Sequence, residues 1–93
     1  MGYDASDTGD NMVDVLARAK LSFGQLTNLP VESISRVEHV DDGWQVNFEV
    51  VELQRVPRST DVLASYEVDA DRSGNLRAWR RMRRYQRNQQ EEA

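Results

Sequence analysis

The sequence predicts an α+β fold, with an N-terminal amphipathic helix packed on a four-stranded antiparallel sheet made of two β-hairpins. Three observations carry this expectation. Trp44, Val46, Phe48 and Val50 alternate with Gln45, Asn47 and Glu49, the period of two of a half-buried strand. Val62, Ala64, Tyr66, Val68 and Ala70 repeat that alternation against Leu63, Ser65, Glu67 and Asp69. Met12, Leu16, Ala19, Phe23 and Leu26 are spaced by four and three, the stripe of a helix with one apolar side.

Taken in order, residues 1–10 are acidic and offer little to bury, so they read as a disordered tail. Met1, Gly2 and Ser6 match a loose myristoylation pattern, which the acidity of that tail disfavours at an anionic lipid surface. The helix follows, with Asp10 or Asn11 as its N-cap and Asp14 in the first turn, where an anion suits the helix dipole. Asn28 and Pro30 end it, because Asn tolerates the left-handed cap and Pro cannot continue a helix. A helix of this length is marginal alone in water and needs the sheet.

Ile34 to Val40 is a first strand. A two-residue turn at Asp42-Gly43 then sets Val37 opposite Phe48 and Arg36 opposite Glu49, pairing apolar with apolar and cation with anion. That register leaves His39 near Val46 at the hairpin end, a strand-end residue with no acid or nucleophile beside it. The phase changes near Val50-Val51, which calls for either a bulge or burial of both faces. Pro57 ends the strand, and Arg58 to Asp61 is a connecting loop. After the second long strand, Asp71-Arg72-Ser73-Gly74 suits a three-residue turn with Gly74 left-handed. It places Asp69 opposite Arg77, Val68 opposite Ala78 and Ala64 opposite Met82. The last strand runs from about Asn75 to Tyr85. One domain over residues 11–87 results, between the tail 1–10 and a polar C-terminal tail 88–93.

Composition narrows the function classes. A 93-residue chain buries roughly 60–65% of its unfolded surface, enough for a thin core. There is no cysteine, which excludes disulfides and thiolate metal sites. No apolar run approaches the ~20 residues of a membrane span, and a cytoplasmic protein is the expectation. No catalytic, cofactor-binding or metal-binding constellation is present. Glu49, Glu52, Glu67 and Asp69 lie beside arginines on neighbouring strands, where both members of a pair would stay ionised, so a hydrolytic carboxylate pair is not expected. Gly43 and Gly74 are isolated turn glycines and form no phosphate loop.

The net charge of −4 conceals a split: residues 1–69 carry a net −8 and residues 70–93 a net +4, all of the latter cations being arginine. The densest run is Arg77 to Arg87, in which Trp79 and Tyr85 interrupt the arginines. Alternation puts Arg77, Trp79, Arg81, Arg83 and Tyr85 on one side of the strand. Cations interleaved with aromatics suit single-stranded nucleic acid, a solvated face neutralising the acids of the next strand, or a protein partner, since Arg, Trp and Tyr dominate interface hot spots. The protein partner is the expectation; a small nucleic-acid-binding or regulatory module is the alternative. The loop with Arg55, Arg58 and Asp61 is a second candidate contact, or simply an Arg–Asp staple.

Gly43-Trp44, Glu49-Val50-Val51-Glu52, Arg55-Val56-Pro57, Asp61-Val62-Leu63-Ala64, Tyr66-Glu67-Val68, Arg81 and Arg84-Tyr85 form an ordered series that closely resembles the gas vesicle protein O (GvpO) family over about residues 12–87. The helix end, Leu26-Thr27-Asn28, departs from a frequent family Gly in third place, and the loop from Pro57 to Asp61 is slightly longer. The resemblance implies a non-enzymatic accessory protein of gas vesicle formation without a cofactor. It also implies partners among other gas vesicle proteins, notably the AAA-type ATPase of the same cluster and the shell protein, with neither nucleic acid nor membrane as a partner.

Overall fold

The apolar positions of the two alternating segments lie side by side on one face of a sheet, under one helix. A computed structural model of the chain describes residues 11–90; the expectations for the tail 1–10, its myristoylation pattern and the last three residues lie outside them. The elements are α1 (Met12–Thr27), β1 (Val31–Val40), β2 (Gly43–Leu53), β3 (Val62–Asp71), β4 (Leu76–Gln86) and a single helical turn, α2 (Arg87–Gln90), with a 3-10 turn at Arg58–Thr60 before β3. The four strands form one antiparallel sheet in the order β1-β2-β3-β4, so β1 and β4 are its edges.

Helix α1 is bounded as its residues dictate. The Asn11 side chain accepts hydrogen bonds from the amides of Val13, at 2.9 Å, and Asp14. At the other end Asn28 adopts φ 62° and its N–H reaches the Gly24 carbonyl at 2.8 Å, satisfying one of the carbonyls a helix leaves unpaired. The buried stripe is Val15, Ala19 and Phe23, each fully buried, with Leu16 packed against them. Met12 and Leu26, expected in that stripe, are 48% and 64% exposed, because they belong to the terminal turns and Val15 takes the inward place. Phe23 is central. Its ring meets Phe48, Tyr66 and Trp79 edge-on at 5.3, 5.4 and 6.1 Å, the geometry that aromatic quadrupoles favour. Val46, Phe48, Val50, Ala64 and Val68 complete the core.

The first hairpin differs from expectation by two residues. Its turn is Asp41-Asp42, with Val40 opposite Gly43, Val37 opposite Val46, Ile34 opposite Phe48 and His39 opposite Trp44. Neither Asp takes a positive φ. The glycine is required for a different reason: a side chain at Gly43 would collide with the Ala70 carbonyl and the Arg77 guanidinium. The shift of two keeps Val37 to Val40 on their expected faces, since side chains alternate with period two, whereas an irregularity at Ser35 turns Ile34 inward, opposite Phe48. Arg36 therefore pairs with Glu38 of its own strand at 2.7 Å, not with Glu49, and β1 starts at Val31 rather than Ile34.

The phase change in β2 combines both devices: Val50 and Val51 stay in register opposite Ala64 and Leu63, which are buried on opposite faces of the sheet, and a bulge follows. Val51 pairs with Leu63 and Leu53 with Val62, leaving Glu52 as the extra residue. The second hairpin turns as expected, with Gly74 at φ 95°. Asp71 organises it, its carboxylate accepting from the amides of Ser73 and Asn75 at 2.9 Å each. Beyond the turn the expected register fails, because β4 carries two bulges. Asp69 lies opposite Ala78, Val68 opposite Trp79 and Ala64 opposite Arg84, so Arg77 and Met82 are each extra. The 3-4 turn also packs under the start of α1, where a side chain on Gly74 would come within 2.8 Å of the Val15 carbonyl and where Arg18 bonds the Ser73 carbonyl. The helix thus crosses the sheet from the β3–β4 turn to the start of β1.

Candidate functional site

The candidate surface is β4, and its bulges decide what it presents. Residues paired across antiparallel strands share a face. Trp79, Arg81 and Arg84 lie opposite Val68, Tyr66 and Ala64, on the side covered by α1, while Arg80, Arg83 and Tyr85 lie opposite Glu67, Ser65 and Leu63 on the other. The expectation that Arg77, Trp79, Arg81, Arg83 and Tyr85 share one side is therefore wrong. The extra residue at Met82 inverts the alternation halfway along the strand.

On the helix side, Trp79 packs against Phe23 and is 40% exposed. Glu52, pushed out of the ladder by its bulge, gathers the basic groups beside it. Its carboxylate lies 3.4 Å from Arg81 Nη1 and 2.8 Å from Arg84 Nε, and it accepts from the Tyr66 hydroxyl at 3.1 Å. Burial, and then that carboxylate, push the Tyr66 hydroxyl pKa upward.

The open side centres on a buried anion. Glu49 is 6% exposed and accepts hydrogen bonds from Ser35 Oγ and Ser65 Oγ at 2.6 Å each and from the Tyr85 hydroxyl at 2.5 Å. One carboxylate thereby ties all four strands together. Burial opposes its ionisation, but the three hydroxyl donors and the nearby Arg83 charge outweigh burial and hold Glu49 below the usual carboxylate range. Tyr85, buried and bonded to that anion, is pushed up to about 12. The Arg83 guanidinium lies 4.4 Å from the Tyr85 ring centre, a cation–π contact.

Most of the β4 arginines are paired. Arg77 contacts Asp42 at 3.2 Å and Asp69 at 3.8 Å, Arg80 contacts Glu67 at 3.0 Å, and Arg81 and Arg84 share Glu52. Arg87 binds both Glu32 oxygens at 2.6 Å and reaches Asp61 at 3.1 Å. Among the described residues, Arg83 alone of these six has no ion pair. The neighbouring strand alone offers too few acids for this run; the turns, the Glu52 bulge and β1 supply the rest.

The second candidate is the loop. Asp61 is 3% exposed and its Oδ1 accepts from the Arg55 backbone N–H at 2.8 Å. That bond, against the opposing effect of burial and with help from Arg87 and Arg58, keeps the Asp61 carboxyl low. Asp61 does fold back on the loop, but it is held by the Arg55 main chain, by Arg87 and, at 4.0 Å, by Arg58. The Arg55 guanidinium itself is left exposed, beside Val56, which is 99% exposed.

Two features were not foreseen from the sequence: the Glu49 network and the Glu32–Arg87–Asp61 group. Their members are isolated in the chain and meet only through the register. Among the described residues no group of His, Asp and Glu is placed to hold a metal, and no helix is long and apolar enough to cross a membrane.

Residues 3–91 match the family described as "Gas vesicle synthesis protein GvpO". The chain is 48% identical over 73 residues to a Gas vesicle protein O of Streptomyces sp. (strain CB03234), covering 78% of this chain and 57% of that protein. It is 29% identical over 87 residues to Gas vesicle protein O of Haloferax mediterranei, covering 92% and 62%. It is 31% identical over 75 residues to Gas vesicle protein O1 of Halobacterium salinarum, covering 81% and 63%. It thus spans about three fifths of the length of these relatives. No solved structure matches it significantly. With the match running through the helix and all four strands, the chain belongs to the GvpO family of gas vesicle synthesis proteins.

Proposed function

We propose that this protein is a non-enzymatic accessory factor of gas vesicle formation in the cytoplasm, acting by contact with other gas vesicle proteins. Family membership carries the first part of this reading. For the second, the supporting observation is β4, an edge strand that presents arginines on both faces and an exposed Trp79 beside Arg81 and Arg84 on the helix side. Trp79 and Arg81 are the contact residues on the helix side of the strand and Arg83 the one on its other side, with Arg55 and Arg58 on the loop that precedes β3. Arg77, Tyr85 and Asp61 position them: Arg77 ties the first turn to the end of β3, the Tyr85 ring carries Arg83, and Asp61 shapes the loop. The partners are sought among the AAA-type ATPase of the gas vesicle cluster and the shell protein. Pairing of five of the six arginines with carboxylates weakens the alternative of a phosphate-tracking surface, whose affinity depends on unpaired cations.

The test is complementation of a gas vesicle-forming strain lacking the protein. Arg81→Gln together with Arg83→Gln removes both charges, keeps polar side chains and avoids placing new anions beside Glu52 and Glu49. The variant is expected to fold, by circular dichroism, and to form no vesicles. Normal vesicles from the folded variant would remove β4 from the proposal and leave the Arg55–Asp61 loop as the contact.

A further inference from the structure

We infer that Arg81 and Arg84, held side by side by Glu52 on the helix side of β4, form a clamp for a carboxylate side chain of an acidic, partly apolar segment of a partner protein. This rests on the reading of β4 as a contact surface and names what that surface takes. Three observations carry it.

The first is the donor count. Each guanidinium has five N–H donors in a planar fork. Glu52 meets Arg81 through Nη1 and Arg84 through Nε, on side chains that remain 47% and 53% exposed. Two cations on one anion leave a local charge of +1 beside donors that a second carboxylate can take in bidentate fashion.

The second is preorganisation. Glu52 is only 12% exposed and is itself held by the Tyr66 hydroxyl at 3.1 Å, and Tyr66 packs on Phe23. A long arginine side chain ordinarily loses rotamer freedom when it binds. Here much of that ordering is already present in the folded chain.

The third is the apolar rim. Trp79 lies on the same face as Arg81 and Arg84, packs on Phe23 and remains 40% exposed. A carboxylate next to an aliphatic residue fits such a surface. A nucleic-acid backbone fits it less well, because Glu52 and Glu67 already offset the cations of this strand, and repeated phosphates need a run of unpaired charge.

The test uses the full chain and a synthetic amphipathic peptide of Glu and Leu, with the same peptide carrying Gln for Glu and a thymidine oligonucleotide as comparison probes. Binding is read from tryptophan fluorescence, with Trp79→Phe as the control that assigns the signal. The Glu peptide is expected to bind and the Gln peptide to bind at least tenfold more weakly. Arg81→Lys with Arg84→Lys keeps the charge and the Glu52 partner but loses the fork, and is expected to weaken the Glu peptide about tenfold. Arg80→Lys, on the opposite face, is expected to change it less than twofold.

Equal binding of both peptides would overturn the clamp, as would undiminished binding by the lysine pair. Tighter binding of the oligonucleotide would assign the surface to nucleic acid, and concentration-dependent dimerisation blocked by the lysine pair would assign it to a second copy; either overturns the proposal. Complementation separates it from the broader reading. If Arg81→Gln, Arg83→Gln abolishes vesicles while the lysine pair forms them normally, β4 remains a contact surface and the carboxylate clamp falls.

Discussion

Glu49 is the residue whose removal the structure predicts most sharply, and the prediction runs against its appearance in the sequence. As one polar member of an alternating strand it should tolerate substitution within about 0.5 kcal/mol, like most surface positions. In the structure it is 6% exposed and accepts from Ser35, Ser65 and Tyr85. Ser65 and Tyr85 are themselves 6% and 7% exposed, so Glu49→Ala leaves two buried hydroxyls without their acceptor. At about 1–3 kcal/mol for each buried group left unsatisfied, the expected loss is about 2–6 kcal/mol. That is a large part of the 5–15 kcal/mol typical of a domain, and at about 4–8 °C per kcal/mol it lowers Tm by at least about 8 °C. Thermal and urea melts followed by circular dichroism measure it. The pH dependence is a second arm. The Glu49 carboxyl is held below its ordinary value, so its contribution is fully present above about pH 4.3, the unfolded carboxyl value, and is lost as pH falls through the folded one. Glu49→Gln removes that component and flattens the acid limb of the stability curve. A Glu49→Ala protein melting within about 3 °C of the parent would refute the reasoning and mean that water replaces the carboxylate.

Phe48→Ala empties the centre of the core, where Phe48 is fully buried against Phe23. It is expected to cost about 3–5 kcal/mol by urea titration. Gly74→Ala meets two penalties at once, a φ of 95° and a Val15 carbonyl 2.8 Å from the new Cβ. A loss of more than about 1 kcal/mol is expected in the same titration, and no loss would mean that the turn moves freely away from α1. Tyr85 is expected to ionise near pH 12 in a spectrophotometric titration of the folded protein. Its contribution is present below the unfolded value of about 10 and is lost as pH rises towards 12; Tyr85→Phe removes that late step.

The local elements are legible in the chain, because each depends on residues close together in it. Asn11 and Asn28 bound the helix by satisfying its own end groups, and period-two alternation assigns β2 and β3 their inward residues whichever partner they find. Gly74 was legible because only a turn needs its conformation. The ordered motifs from Gly43 to Tyr85 carried the family, since residue order needs no fold to be read. Tertiary structure alone decided how β4 is presented. Bulges at Arg77 and Met82 depend on how a strand accommodates its neighbour, and one extra residue exchanges the two faces. The same bulges split the arginine run and hand its members to Asp42, Glu52, Glu67, Glu32 and Asp61, acids that come from other parts of the chain. Glu49 follows the same rule. It is buried because a serine from β1, a serine from β3 and a tyrosine from β4 converge on it, and convergence of four strands is a property of register, which no single stretch of sequence contains.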